Sequence, residues 1–214
     1  MNAQTQTVQL QLEGYQVEEA VTSIFHTVMF HRTSGKFHYQ EGGRYLEGTV
    51  GYSDIDCDFI DLTYVRCSSP KLDKNIRKQV SEFSEELRSS DSTRSGEISL
   101  KFFRRERAMW PFQSVCIPWE IWNVQLDLVQ LRHHREQQSG REQMGELLTE
   151  KIVGITSGMS RNQYVPEVPS QPTDLCLIFD MSYEDCQPYL HEIVHVQPST
   201  PSASIGHVLK NMFR

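Results

Sequence analysis

The stretch from residue 17 to residue 31 constrains the fold more than any other part of the sequence. Its apolar side chains recur at helical spacing and form one wide stripe. They are Val17, Ala20, Val21, Ile24, Phe25, Val28 and Met29. A stripe of this width predicts a helix that packs against a sheet and is buried over most of its circumference. His31 and Arg32 favour the negative end of a helix dipole, and Gly35 suits a left-handed cap, so the helix is predicted to end there.

Strand patterns surround this helix. Alternating or β-rich apolar residues predict strands at residues 7–12, 36–40, 44–52, 59–65, 97–103, 175–179 and 189–196, and a longer one over residues 119–128. Gly42-Gly43 predicts a hairpin turn between two of them. In the longest strand, Trp122 is expected in the core and Trp119 on the opposite face or at the rim, because side chains alternate along a strand.

Two further helices are predicted. One begins at Pro70, which is tolerated in a first helical turn, and keeps apolar residues at helical spacing as far as Leu87. The other spans residues 137–157. It contains Gly145 and Gly154, and since glycine weakens a helix, the close approach of another backbone would explain both positions.

The predicted elements together indicate one large domain. Periodicity is lost at residues 89–95 and in the proline-rich segment 162–173, which are predicted to be irregular. The pattern predicts an α+β domain over residues 1–196, with a mostly antiparallel sheet and about three main helices. Residues 197–214 are predicted to form a C-terminal tail, whose apolar spacing at 205–213 suits a short helix.

Charge and cysteine usage limit the classes of partner. The chain has 21 Lys and Arg against 28 Asp and Glu, a formal charge of −7, and no long basic run. Nucleic acid and acidic membranes are therefore poor candidates for its main partners. No apolar run reaches the length of a transmembrane segment, and the first residues do not resemble a signal peptide. Five widely spaced cysteines and the absence of a glycosylation sequon favour a cytoplasmic protein with reduced thiols.

The sequence from Asp54 to Asp58 resembles the start of a calcium-binding loop. However, Phe59 occupies the position that needs glycine, and Val65 occupies the position that needs a bidentate glutamate. Calcium binding is therefore not expected. Phe59 and Ile60 instead predict a turn that enters a buried strand.

Histidine and cysteine patterns indicate neither a metal site nor a catalytic site. His133 and His134 are sequence neighbours and point to different faces. His191 and His195 lie in a predicted strand, where they are too far apart to bind one zinc ion. No phosphate-binding loop, nucleophile elbow or zinc-protease motif occurs. A cysteine paired with a histidine stays open as a nucleophile, but the pattern singles out none of the five, so the prediction is a protein without catalytic activity or cofactor.

Trp110-Pro111-Phe112 places two large aromatic residues in the charged, aperiodic stretch 104–113. Proline fixes its own backbone and pushes the preceding tryptophan toward an extended conformation, so this stretch is predicted to be stiff. Such a pair is either a core anchor or a binding hot spot, and general burial tendencies favour the core by roughly two to one.

Nine segments of the chain resemble the autophagy-related protein 101 family, whose members are HORMA-domain proteins. They are residues 16–20, 26–28, 34–39, 48–51, 56–61, 63–66, 110–112, 116–120 and 187–190. The most specific are Asp56-Cys57-Asp58-Phe59-Ile60-Asp61 and Trp110-Pro111-Phe112. The resemblance runs in order from about residue 8 to about residue 196.

The resemblance implies a non-catalytic adaptor of the autophagy-initiation complex, which contains an Unc-51-like kinase and a large scaffold subunit. The implied direct partner is the HORMA domain of autophagy-related protein 13. The resemblance implies that this chain forms a heterodimer with that domain and stabilises it. The candidate contact is the helix 137–157. Trp110, Pro111 and Phe112 correspond to a projecting finger that recruits downstream autophagy factors. The implied location is the cytoplasm and, on induction of autophagy, the preautophagosomal structure.

Two alternatives from other classes stay open at this point. One is a HORMA conformational switch that closes around a peptide in another signalling assembly, which needs a tail able to change its strand pairing. The other is a cysteine hydrolase without a recognisable motif.

Overall fold

A computed structural model describes residues 3–40, 44–89, 94–107, 115–130, 134–159 and 164–196. Its strands are β1 (Gln4–Leu12), β2 (Thr33–Gly35), β3 (Phe37–Gln40), β4 (Arg44–Glu47), β5 (Tyr52–Asp56), β6 (Thr63–Cys67), β7 (Ser95–Glu106), β8 (Val115–Leu128), β9 (Cys186–Pro188) and β10 (His191–Val196). Its helices are α1 (Val17–His31), α2 (Pro70–Ser89) and α3 (His134–Met159), with short 3-10 turns at Gly14–Gln16 and Pro172–Leu177. The predicted turn Gly42-Gly43, most of the linker 89–95, part of the segment 162–173 and the tail 197–214 lie outside the described residues.

The largest sheet has four strands in the order β1-β8-β7-β10. β1 runs parallel to β8, whereas β7 runs antiparallel to both β8 and β10. Three two-stranded antiparallel pairs, β2–β9, β3–β4 and β5–β6, complete the sheet structure. The prediction of an α+β domain with a mostly antiparallel sheet is confirmed. Among the described helices, none combines the length and apolar character needed to cross a membrane.

Helix α1 is the centre of the core. All seven apolar residues of its predicted stripe are fully buried. Thr22, Ser23, His26 and Thr27 are buried as well, so the helix is covered on almost every side. It contacts α2, α3 and β6, and it shares one continuous apolar core with the inward side chains of the large sheet.

Short apolar runs produced two wrong strand predictions. Residues 175–179 were predicted as a strand, but the chain forms a 3-10 turn in which the N–H groups of Ile178 and Phe179 both donate to the Leu175 carbonyl, at 3.0 and 2.8 Å. The turn buries Leu175, and Phe179 beyond it is also buried and forms an isolated antiparallel β-bridge with Tyr189. A short apolar run does not distinguish this arrangement from a continuous strand. Residues 59–65 also begin as a loop, since β6 starts only at Thr63.

The two glycines of α3 have different environments. A Cβ atom on Gly145 would lie 2.2 Å from the backbone carbonyl oxygen of Asp61, so the predicted close approach of a backbone is found there. A Cβ atom on Gly154 would have nothing within 4 Å, so the same explanation is wrong for Gly154.

We expect Gly145→Ala and Gly154→Ala to change stability in opposite directions. Gly145→Ala forces α3 away from the Asp61 loop and should lower the free energy of unfolding by about 1–3 kcal/mol, the usual range for overpacking. Gly154→Ala adds no contact and removes a helix-weakening residue, so it should raise that free energy by up to about 1 kcal/mol. Urea denaturation of both variants measures the difference, and equal effects would contradict the assignment.

Candidate interaction site on a projecting hairpin

Strands β7 and β8 form a hairpin that continues past the covered part of the sheet. Its pairing extends outward as far as Glu106 opposite Val115. We refer to residues 103–107 and 115–118, at this outer end, as the arm. Every residue of the arm is partly or fully exposed, and Val115 keeps 53% of its surface in solvent. The rest of the described domain therefore leaves both faces of the arm open.

Trp110, Pro111 and Phe112, the predicted interaction residues, lie outside the described residues. In sequence they fall between the two ends of the arm, which are joined by residues 108–114. Their role in partner binding stays a prediction.

Three arginines make the arm positively charged. Arg104 lies 2.9 Å from the Glu106 carboxylate, and Arg107 forms an ion pair with Asp174 in the second 3-10 turn. Arg105 is also exposed. These pairs lie at the surface, where ion pairs contribute little to stability, so the arm does not depend on them for its shape.

A β-bulge marks the base of the arm. Phe102 pairs with Glu120 and Phe103 pairs with Pro118, which leaves Trp119 as the extra residue. The bulge breaks the alternation of β8, so Trp119 and Trp122 are both buried, at 9% and 5% exposure. The prediction that Trp119 lies on the opposite face or at the rim is therefore wrong.

Beside the bulge lies a buried ion pair that the sequence patterns did not predict. Arg32 follows α1 and binds Glu120 of β8 through two hydrogen bonds, Nε to Oε2 at 2.5 Å and Nη2 to Oε1 at 3.0 Å. Both side chains are at most 1% exposed. The Tyr164 hydroxyl donates to Glu120 Oε1 at 3.0 Å, and the guanidinium stacks over Trp119 at 5.7 Å from the ring centroid. The only sequence signal was one carboxylate inside the apolar run 119–122.

Buried cysteines are poor nucleophiles in this structure. Cys57, Cys67 and Cys186 are buried, and desolvation raises the pKa of the first two thiols to about 12 and that of Cys186 to about 11. A thiol with so high a pKa carries almost no thiolate at neutral pH. The exposed thiols of Cys116 and Cys176 lie in the arm and in the second 3-10 turn.

The metal-binding patterns do not come together in the described residues, which contain no group of three or more His, Cys, Asp or Glu side chains that could hold an ion. His191 Nδ1 lies 2.9 Å from the Tyr189 carbonyl oxygen, whereas His195 Nδ1 lies 3.1 Å from Glu86. His133 lies outside the described residues, and the side chain of His134 is not described.

His26 on α1 is buried and belongs to a polar cluster, otherwise partly exposed, that the sequence patterns also missed. Its Nε2 atom lies 3.0 Å from Asp73 Oδ1, and Asp73 also binds Arg66 at 2.7 Å and Arg77 at 2.9 Å. Burial lowers the pKa of His26, although Asp73 acts in the opposite direction. Burial would raise the pKa of Asp73, but its hydrogen bonds to His26 and Arg77 outweigh this effect and hold that pKa below its usual value. The cluster joins α1 to α2 and β6.

Comparison with known proteins gives consistent matches over the chain. Residues 9–172 match the family model for Autophagy-related protein 101. The protein of that name from Xenopus tropicalis is 42% identical over 214 residues, which cover 100% of this chain and 98% of the relative. The Homo sapiens protein is 46% identical over 193 residues, or 90% of this chain and 88% of the relative. A relative from Arabidopsis thaliana is 25% identical over 127 residues.

We expect Glu120→Gln to destabilise the fold strongly. The substitution keeps the shape of the side chain but leaves the buried guanidinium of Arg32 without a counter-charge, which typically costs about 3–5 kcal/mol. Replacing both residues with methionine removes both charges and should cost less than the single change. Guanidinium chloride denaturation measures both free energies, and a single variant as stable as wild type would contradict this role for the pair.

Acid should weaken the fold partly through His26. Because burial holds the pKa of His26 below its unfolded value, the unfolded chain binds more protons as the pH falls through about 6.5. The free energy of unfolding should therefore fall between about pH 7 and pH 5, and it should fall less steeply in His26→Gln. Part of the pH dependence should remain in the variant, because burial also lowers the pKa values of His31 and His191. Urea denaturation of wild type and His26→Gln over this pH range measures both slopes, and equal slopes would contradict the role of His26.

Proposed function

Because the chain belongs to the autophagy-related protein 101 family, we propose that it acts as a non-catalytic adaptor in the autophagy-initiation complex. It contains a HORMA domain that pairs with and stabilises the HORMA domain of autophagy-related protein 13. It joins the complex of an Unc-51-like kinase and its large scaffold subunit, in the cytoplasm and at the preautophagosomal structure. Trp110, Pro111 and Phe112, the finger, recruit downstream autophagy factors.

The observation that carries the recruiting role is the arm. The paired hairpin has exposed outer residues, and Trp110, Pro111 and Phe112 lie in the segment of the sequence that joins its two strands. Trp110 and Phe112 would each bury roughly 150–250 Å² in a partner pocket. At about 25 cal/mol per Å² this supplies several kcal/mol, part of which is offset by the entropy lost on binding.

The base of the arm supports the same role. Trp119 packs against Phe102 and Tyr189 with ring centroids 5.5 and 5.3 Å apart, and the next residue, Glu120, is held by Arg32. A fixed base reduces the conformational freedom that the arm would lose on binding, which favours affinity.

Helix α3 is the proposed contact with the partner HORMA domain. Residues 137–157 were predicted as this helix, which extends over His134–Met159. Its C-terminal half exposes Val153 at 59%, and the neighbouring Gly154 and Gly158 leave open space beside the backbone. An exposed apolar residue followed by two glycines one helical turn apart would let another protein approach this end of the helix closely.

We expect Trp110→Ala with Phe112→Ala to remove recruitment of downstream autophagy factors while the heterodimer forms normally. Val153→Arg should do the reverse and weaken the heterodimer, because it places a charge in the proposed α3 contact. Pull-downs with the purified HORMA domain of autophagy-related protein 13, and from cells for the downstream factors, separate the two effects.

Melting temperatures show whether the two rings of the finger belong to the core. The double variant should melt within a few degrees of wild type, since exposed substitutions usually change stability by less than about 0.5 kcal/mol. A large fall in melting temperature would show that both rings belong to the core. Normal recruitment by a folded double variant would also overturn the recruiting role.

A further inference from the structure

We propose that Tyr15 and Phe59 form a separate protein-interaction site that binds an arginine side chain from a basic segment of a partner protein. This site lies in the described part of the domain and is independent of the finger. We refer to the two residues as the aromatic pair.

The aromatic pair is exposed, although the residue that follows each ring in the sequence is buried. Phe59 keeps 49% of its surface in solvent and Tyr15 keeps 37%, whereas Ile60 is fully buried. The two rings meet edge to face, with centroids 5.3 Å apart and planes at 67°. The sequence predicted that Phe59 would enter a buried strand, so its exposure is a property of the folded loop.

The loop that carries Phe59 is held rigidly by side chains from α1 and from the turn before it. The two carboxylate oxygens of Glu19 accept hydrogen bonds from the backbone N–H groups of Asp58 and Phe59, at 2.7 and 2.9 Å. Gln16 Nε2 donates to the Phe59 carbonyl oxygen at 3.2 Å. Because the backbone of Phe59 is fixed on both sides, the exposed ring is already positioned for binding, and little ordering entropy is lost on association.

Helix α3 fixes the other end of the same loop. The Asp61 N–H group donates to the Arg141 carbonyl oxygen at 3.3 Å, and the Asp61 carbonyl lies against Gly145, where a Cβ atom would collide with it. Two independent elements therefore hold a large apolar ring toward solvent. Rigid aromatic residues in such positions are typical binding hot spots.

The surroundings of the aromatic pair are mainly acidic. The cavity beside the rings, about 490 Å³, is lined by Asp58, Asp61, Gln138, Arg141 and Glu142 as well as by the pair itself. An adjoining cavity of about 590 Å³ is lined by Asp61, Glu142, Gly145, Glu146, Thr149 and Glu150. Among the described residues that line these two cavities, carboxylates outnumber the one guanidinium, so the charge of this lining complements a cationic ligand.

Aromatic faces combined with carboxylates favour arginine among the cationic side chains. A guanidinium group stacks on an aromatic ring through cation–π attraction and forms paired hydrogen bonds with a carboxylate. Lysine offers only a compact charge without the planar fork. Phosphates and acidic lipids would be repelled by the same carboxylates, so a basic protein segment is the partner class that fits.

A displayed library of short random peptides tests this site on the full chain. Peptides are selected on wild-type protein and counter-selected on Phe59→Ala, and the survivors are synthesised for titration at about 0.15 M salt. We expect the survivors to be rich in arginine and to bind Phe59→Ala about tenfold more weakly or worse, the loss typical of a hot spot. Asp61→Asn should also weaken them, and citrulline in place of the arginine should abolish binding.

Tyr52→Ala is the matched control, because Tyr52 is an aromatic residue with 64% exposure on β5, outside the acidic cavities. It should bind the same peptides like wild type, and Phe59→Ala should keep the wild-type melting temperature. Survivors without a preference for arginine, or no peptide that depends on Phe59, would overturn the proposal. It would also be overturned if Phe59→Ala weakened the heterodimer and no peptide survived the counter-selection, since the pair would then belong to that interface.

Discussion

The buried ion pair between Arg32 and Glu120 holds together three parts of the domain. It joins the residue after the central helix to the bulged strand at the base of the arm. The Arg32 carbonyl also accepts a hydrogen bond from the Tyr189 N–H group at 3.0 Å, which ties in the C-terminal described segment. Buried charges are tolerated only when they are fully paired, so a shift of the helix end or of the bulged strand would leave a charge uncompensated. The pair therefore fixes the helix and the base of the arm relative to each other more strictly than apolar contacts alone would, and the C-terminal segment is attached to the same residue through a backbone hydrogen bond.

Sequence patterns predicted the elements whose periodicity is long and undisturbed. The stripe of α1 repeats over four turns and was correct at every apolar position, because a helix buried on almost all sides leaves little ambiguity. The bulge at Trp119 was not predictable in the same way, since one extra residue reverses the alternation without any signal in composition. The strand predicted at residues 175–179 was wrong for a related reason, because five consecutive apolar residues fit a strand and a helical turn equally well.

The candidate sites differ in the same way, because some consist of neighbouring residues and others bring together residues that are far apart in the sequence. The finger was assigned from the family resemblance, because its own three residues and their charged neighbours left burial and partner binding both open. Arg32 and Glu120 are separated by 88 positions, and His26 and Asp73 by 47, so neither pair could be found from local spacing. The exposure of Phe59 depends on how closely α3 approaches the loop at Gly145, a tertiary feature that a single sequence does not encode in its periodicity.

The parallel pairing of β1 with β8 has a consequence for how the chain folds. Gln4 lies opposite Glu120 and Leu12 lies opposite Leu128, so each contact closes a loop of 116 residues. Contacts of such long range slow folding, because the entropy of loop closure is lost before the pairing stabilises the chain. During synthesis β1 leaves the ribosome long before its partner strand, and until residue 128 has emerged the chain exposes apolar residues that are later covered. In the cell, this late closure of the sheet is the stage at which the protein is most open to aggregation and to the help of chaperones.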